Sequence, residues 1–228
     1  MGNIPGLCLI SVLCLYLCLS PAATAGGDPN AIPIYTTQSP CCTLSIQRPN
    51  LPDKRIQDQV DHWLDGLAQE FHKKAIPPWE SPKSELSVHV DEIQRLAQFI
   101  SLKFTICEYM GGAHPNTHIQ TLVFDRATAI PLELADLFTA PQTALDIISR
   151  TSIAQLEDIR QRPLTPMEKG RLRPRKENFK YFTLARDRVH LFFPVYQTGP
   201  RGLGPQAAFV PHNALYDAMK PHIRSALK

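Results

Sequence analysis

No apolar stretch in this 228-residue chain is long enough to cross a bilayer as a helix. The longest, Leu7 to Leu19, covers 13 residues and is interrupted only by Ser11 and Tyr16, whereas a span needs ~20. Pro21 breaks the run, and Ala23-Thr24-Ala25 supplies the small-x-small pattern that a signal peptidase accepts. The expectation is a secretory signal over residues 1–25, a mature chain from Gly26 with no transmembrane segment, and a periplasmic or extracellular location. No Lys or Arg precedes the run, so only the terminal amine provides the positive end of the leader. A lipoprotein is the rival reading, but Tyr16-Leu17 ahead of Cys18 lacks the small residues of a lipid-attachment site. Met1-Gly2 is not a myristoylation signal either, because position 6 is Gly rather than Ser or Thr.

Strong net charge is also missing. A formal charge of +3 does not imply a nucleic-acid partner. The cations are unevenly spread, however: Arg160 to Arg188 holds ten Lys or Arg against Glu168, Glu177 and Asp187. Cysteine is sparse after the leader, with only Cys41, Cys42 and Cys107, an odd number for an oxidising compartment. Adjacent cysteines rarely bond each other, so one of the pair is expected to face Cys107 across a sheet. Three reduced, partly buried thiols is the alternative. No CxxC or CxxH spacing occurs, which argues against a metal site. Nor is there a Gly-x-Ser-x-Gly elbow, a phosphate-binding glycine loop, an internal repeat or a coiled coil. No cofactor is expected.

What is present is alternation. Gly26 to Pro40 reads as an extended linker rich in Pro, Gly, Thr and Ser. Cys42 to Ile46 has the period of two of a half-buried strand. Ile56, Val60, Trp63, Leu64, Leu67 and Phe71 recur at helical spacing, predicting an amphipathic helix from Lys54 to Lys74 with Asp53 as its cap. Leu86 to Val90 and Ser101 to Tyr109 alternate again, and Gly111-Gly112 is expected to turn the latter into a hairpin with Ile119 to Phe124. Gln142 to Arg162 predicts a second helix burying Leu145, Ile148, Ile153, Leu156 and Ile159, stopped by Pro163. Strands are expected over Phe179 to Leu184, Val189 to Val195 and Ala207 to Val210, and a closing helix over Ala214 to Leu227. The class is α+β, with antiparallel sheets and helices packed on one side, in two small lobes spanning residues 41–125 and 126–228.

Taken in order, the strand Ser101 to Tyr109, Gly111-Gly112-Ala113-His114, Phe124-Asp125, Leu134 to Phe138, Phe179 to Leu184, Phe193-Pro194-Val195-Tyr196-Gln197, Gly199-Pro200 and Val210-Pro211 carry a resemblance. The set is similar to the extracytoplasmic domain of RsiV-type anti-sigma factors, which also accompanies PdaC-type peptidoglycan deacetylases. It runs from about Cys41 to Arg224. Two departures stand out. After Gly199-Pro200 the family reads Tyr-Ala-Ala-Gly, and here Arg201-Gly202-Leu203-Gly204 stands instead. After Phe124-Asp125 the family turn ends Thr-Gly, and here it ends Thr128-Ala129. The sequence carries neither a deacetylase domain with its Asp-Asp and His-x-x-x-His zinc motifs nor a sigma-binding segment, so neither activity is expected to transfer.

The candidate contact residues are few. Tyr196, Gln197 and Arg201, among Gly199, Gly202 and Gly204, form a candidate recognition loop, with an ordinary glycine-rich turn as the plain alternative. Trp79 is a candidate sugar platform, while Trp63 belongs to the helix stripe. His114 and His118 have metal-pair spacing only if helical, and they sit in a turn and early strand; His114 is retained as a contact candidate. Arg171, Arg173, Arg175 and Lys176 form a candidate loop for an anionic partner. Glu108, Asp125 and Asp136 are the carboxylates available for glycoside hydrolysis, although Asp136 suits a helix cap and Asp125 a turn. The expectation is a non-catalytic binding module at the cell envelope, whose ligand is lysozyme, as the resemblance implies, or an anionic wall component. The alternatives are a peptidoglycan- or polysaccharide-acting enzyme and a structural or inhibitory envelope protein.

Overall fold

The computed structural model describes residues 32–75 and 83–227. The expected leader and Trp79 lie outside these residues. The chain is α+β, with a five-stranded and a three-stranded sheet.

In the larger sheet, β1 (Ile34–Gln38), β2 (Cys42–Gln47), β3 (Ser84–Arg95), β4 (Phe99–Tyr109) and β5 (Asn116–Asp125) lie in sequence order. β1 falls inside the stretch expected to be a linker. It lacks an apolar alternation and pairs antiparallel along the edge of β2. The sheet is antiparallel except for one pair: β2 and β3 run parallel. The cause is α1 (Lys54–Lys74), a crossover that returns the chain to the same end of the sheet.

Helix α1 follows from its stripe. Asp53 caps it by accepting from the Arg55 amide at 2.9 Å, and Ile56, Val60, Leu64 and Phe71 are buried. They pack on Ile46, Leu86, Val88, Ile100, Leu102, Phe104 and Ile106, the apolar face of the sheet. Each such burial contributes about 2 kcal/mol, so Leu64→Ala is the kind of single change that would loosen the lobe. His72, Lys73 and Lys74 occupy the last turn, where cations complement the carbonyl end of a helix.

The hairpin between β4 and β5 has a longer tip than a tight glycine turn: Glu108 pairs with Asn116 across it. Only Gly111 of the two glycines takes a positive φ, at 80°. The opposite face of this sheet meets the smaller one, made of β6 (Phe182–Leu184), β7 (Arg188–Phe193) and β8 (Gln206–Pro211), all antiparallel. Two buried hydroxyls join the sheets. Phe182 donates its amide to Thr121 Oγ1 and Leu184 donates to Ser101 Oγ, both at 3.0 Å.

Helix α2 (Pro141–Arg160) closes the second core with Ala144, Leu145, Ile148 and Leu156. Ile159 is expected in that core but is 64% exposed, because it falls off the buried stripe in the last turn of the helix. The short α3 (Pro166–Gly170) follows. The expected closing helix is split into α4 (His212–Leu215) and α5 (Pro221–Ala226). Pro221 has no amide to donate and starts a new helix at its first turn instead of continuing one.

Candidate functional site

The candidate site grows from the chain leaving β7. Pro194 ends the strand, and the Gln197 amide donates back to the Pro194 carbonyl at 3.0 Å. That turn forces Tyr196 to φ 72°, and its ring stands 56% exposed. A side chain in the left-handed region costs about 1–2 kcal/mol, so surrounding bonds must hold it there.

Two sets of bonds do so. On one side, Arg171 donates from its guanidinium to the Tyr196 carbonyl, and Gln197 Nε2 donates to the Asn178 carbonyl at 2.7 Å. On the other, buried Thr198 is clamped by Arg160, which donates from Nη1 to the Thr198 carbonyl at 2.8 Å and from Nη2 to its hydroxyl at 3.2 Å. Arg160 also binds Glu168 at 3.0 Å, and Arg162 donates to both Glu168 oxygens at 2.9 and 3.1 Å. Glu168 is buried on α3 and also receives the Thr165 amide at 2.7 Å. Arg162 hydrogen bonding holds its carboxyl well down, at about 2, against the opposing effect of burial.

The Tyr196 loop and the basic segment are thus one surface, although they lie far apart in sequence. Arg171, Arg173, Arg175 and Lys176 are all exposed. Among the described residues, no carboxylate pairs with Arg171, Arg173 or Arg175, and Lys176 stands 3.9 Å from Glu133. Arg201 is placed differently. It opens a short 3-10 turn, Arg201–Leu203, and donates to the Pro115 carbonyl at 3.3 Å, which brings it against the hairpin tip beside exposed His114. Tyr196 and Gln197 therefore join the basic segment, while Arg201 lies at a separate corner, bonded to the residue after His114.

Sequence reasoning missed a cleft of about 480 Å³ that Lys176 shares. Its polar lining includes Gln120, Glu133, Glu177, Lys180 and Tyr181, and its apolar lining Val123, Leu132, Leu134 and Phe182. Lys180 belongs to the basic run and to the expected strand Phe179 to Leu184, and Glu133 precedes the Leu134 to Phe138 segment. Neither is marked as a cleft residue by its place in the sequence. Only their proximity after folding marks them.

The carboxylates considered for hydrolysis are dispersed. Asp125 Oδ1 accepts the Ala127 and Thr128 amides, at 2.7 and 3.2 Å, and so holds its turn. Asp136 receives the Glu133 amide at 2.8 Å, bracing the 3-10 turn Leu134–Leu137. Glu108 faces His118 at 3.5 Å. Glu108 pairs with Asn116 at one end of β5 and Asp125 is at the other, roughly 30 Å away at ~3.4 Å per residue. Glycosidase pairs stand ~5–9.5 Å apart.

The expected disulfide across the sheet does not match the fold. Cys42 points to the α1 face and Cys107 to the other, with β3 between their strands. Cys107 instead lies 3.7 Å from Thr117 Oγ1, and all three thiols are free. The structure gathers Cys41, Cys42 and His72 into one cluster, a grouping that spacing alone gave no reason to expect.

The two-sheet α+β architecture is one shared with DUF3298 family proteins. The chain resembles such a protein from Pseudomonas aeruginosa PAO1, with a TM-score of 0.58 at 16% identity over 86% of this chain and 97% of that one. A second, from Bacteroides fragilis, gives 0.53 at 19% identity over 89% and 99%. Among curated proteins, the chain is 25% identical over 183 residues to the peptidoglycan-N-acetylmuramic acid deacetylase PdaC of Bacillus subtilis strain 168. That match takes in 77% of this chain and spans 38% of the length of PdaC. No family model matches. Distant homology to PdaC and a DUF3298-like fold fit the resemblance read from the sequence. No helix among the described residues is long and apolar enough to cross a membrane.

Proposed function

We propose that this protein is a non-catalytic, extracytoplasmic RsiV-like binding module that acts at the cell envelope. Its ligand surface is formed by Tyr196 and Gln197 together with Arg171, Arg173, Arg175 and Lys176. The observation that carries this reading is the joining of the two segments, through Arg171 to the Tyr196 carbonyl and Gln197 to Asn178. An exposed aromatic residue held in a strained backbone, beside guanidinium groups that no described carboxylate pairs with, suits recognition of an anionic, partly apolar ligand. The adjacent cleft, lined by Lys176 and Lys180 and equally by Glu133 and Glu177, gives room for an uncharged group of the same ligand. Similarity to a peptidoglycan deacetylase supports the envelope setting.

An anionic wall glycan fits this surface better than lysozyme does. Lysozyme and this chain, at +3, are both basic, and like charge slows encounter. Hydrolysis of a polysaccharide is the weaker reading, because Glu108 and Asp125 sit at opposite ends of one strand. Calorimetric titration with an anionic wall glycan and with lysozyme, at low and moderate salt, tests the proposal. Glycan binding that weakens with salt, and is lost when Arg173, Arg175 and Lys176 are changed to Glu, is the expected result. Unchanged affinity in that triple variant would end the anionic-ligand reading. Lysozyme binding that survives moderate salt would return the chain to the sensor-like role.

A further inference from the structure

The turn between β1 and β2 places two thiols where an extended chain could not. In a strand, neighbouring side chains point to opposite faces. Here Ser39-Pro40-Cys41-Cys42 reverses the chain: the Ser39 amide donates to the Cys42 carbonyl at 2.9 Å, and the Cys42 amide donates to Ser39 Oγ at 3.1 Å. Cys41 sits in the bend, so its Sγ comes within 3.4 Å of Cys42 Sγ. Both thiols face the last turn of α1, where His72 Nδ1 stands 3.4 Å from Cys42 Sγ and 3.9 Å from Cys41 Sγ.

These separations have a chemical meaning. Zinc binds thiolate at ~2.3 Å and imidazole nitrogen at ~2.0 Å, in a tetrahedron. Those bond lengths set the sulfur–sulfur edge at roughly 3.8 Å and the sulfur–nitrogen edges at roughly 3.6 Å. The three observed separations lie within a few tenths of an ångström of these values. The sulfurs are too far apart for a bond of ~2.05 Å, and an ordinary hydrogen-bonded cluster does not need three soft donors converging on one point. Cys42 is fully buried while His72 is exposed, so an ion there has a dry side and an open side. Ser39 Oγ lies 3.2 Å from each sulfur, close enough to donate to a thiolate and stabilise its charge. Burial pushes the Cys42 thiol up.

We propose that Cys41, Cys42 and His72 form a binding site for a thiolate-seeking metal ion such as Zn²⁺, leaving the fourth position for water or an outside ligand. The ion would tie the β1–β2 turn to the end of α1. Binding converts two thiols to thiolates: two metal–sulfur bonds form, and two protons leave to solvent. No oxidant or reductant takes part. His72 binds as the neutral imidazole through Nδ1.

The test is titration of the fully reduced chain with zinc alone, in two buffers of different ionisation heat, with competition by a chromophoric chelator. The expected result is one zinc per chain, close to two protons released, and thermal stability that rises with free zinc. Cys41→Ser, Cys42→Ser and His72→Gln should each weaken binding on the order of 100-fold. Cys107→Ser should leave it unchanged. Absence of stoichiometric binding by the reduced chain would overturn the proposal. So would binding that survives in a Cys41→Ser, Cys42→Ser double variant, or a Cys41–Cys42 disulfide as the form that folds in an oxidising compartment.

Discussion

Glu92 of β3 and His190 of β7 meet across the seam between the two sheets, with His190 Nδ1 3.4 Å from Glu92 Oε1. The Thr183 hydroxyl donates to the same oxygen at 2.8 Å. Burial alone would raise the Glu92 carboxyl, but bonds from His190, Thr183 and Gln94 outweigh it, and the net direction is down. A carboxyl lowered in the folded state stabilises the protein above its unfolded pKa, and that contribution is lost as pH falls through the folded value. Glu92→Gln should therefore cost about 1 kcal/mol near neutral pH, and the difference from the parent should shrink in acid. Denaturant melts at several pH values check this. A gap that stays constant into acid would refute the role of the charge.

The Glu168 network makes a larger claim of the same kind. With a folded value of about 2 against an ordinary value of 4.5, its contribution is complete above about pH 4.5 and disappears as pH falls towards 2. Allowing for screening at the 43% exposed Arg162, the effect is on the order of 2 kcal/mol. Glu168→Gln should flatten the acid limb of the stability curve. It should also loosen the Thr198 clamp and raise hydrogen exchange over residues 196–199. Parallel acid limbs for the two proteins would sink this account.

Tyr196 trades stability for exposure. Tyr196→Gly removes the left-handed strain without uncovering a core, so the fold should gain about 1 kcal/mol. The same change removes the aromatic ring from the proposed ligand surface, so glycan affinity should fall. Opposite signs in a thermal melt and a binding titration are the expected pair. A variant that is less stable and binds the glycan equally well would show that the ring has another purpose.

Ala129 is the counterpart inside the fold. It takes φ 57° in the turn after β5, and its carbonyl accepts from Gln59 at 2.8 Å. Relief of the strain, about 1–2 kcal/mol, exceeds the loss of one buried methyl, about 0.8 kcal/mol. Ala129→Gly should raise the melting temperature, and a lower one would mean that the methyl's packing outweighs the strain.

Much of this fold was legible because single elements carried their own pattern. The stripe from Ile56 to Phe71 located α1 at both ends, and alternation through Leu102, Phe104 and Ile106 identified the face that α1 covers. What stayed hidden depended on partners. β1 shows no apolar alternation because it is an edge strand whose side chains are largely exposed, so only pairing with β2 defines it. The parallel β2–β3 pairing is a property of the crossover and not of either strand's residues. At the ligand surface, Tyr196 and Gln197 were visible as a turn, and Arg171 to Lys176 as a charge run. Their union rests on bonds to two backbone carbonyls, Arg171 to that of Tyr196 and Gln197 to that of Asn178, which no residue pattern announces. Cys41 and Cys42 reach His72 only because α1 ends where it does.

The two hydroxyls at the seam restrict how the lobes can move. Thr121 and Ser101 each serve one amide of β6, at Phe182 and Leu184, spaced one repeat of the strand apart. A slide of β6 by a single residue would turn its amides to the wrong side and leave buried donors without partners, each costing about 1–3 kcal/mol. Shear between the sheets is therefore costly, and a ligand that slid one sheet past the other would have to supply that free energy through its differential binding.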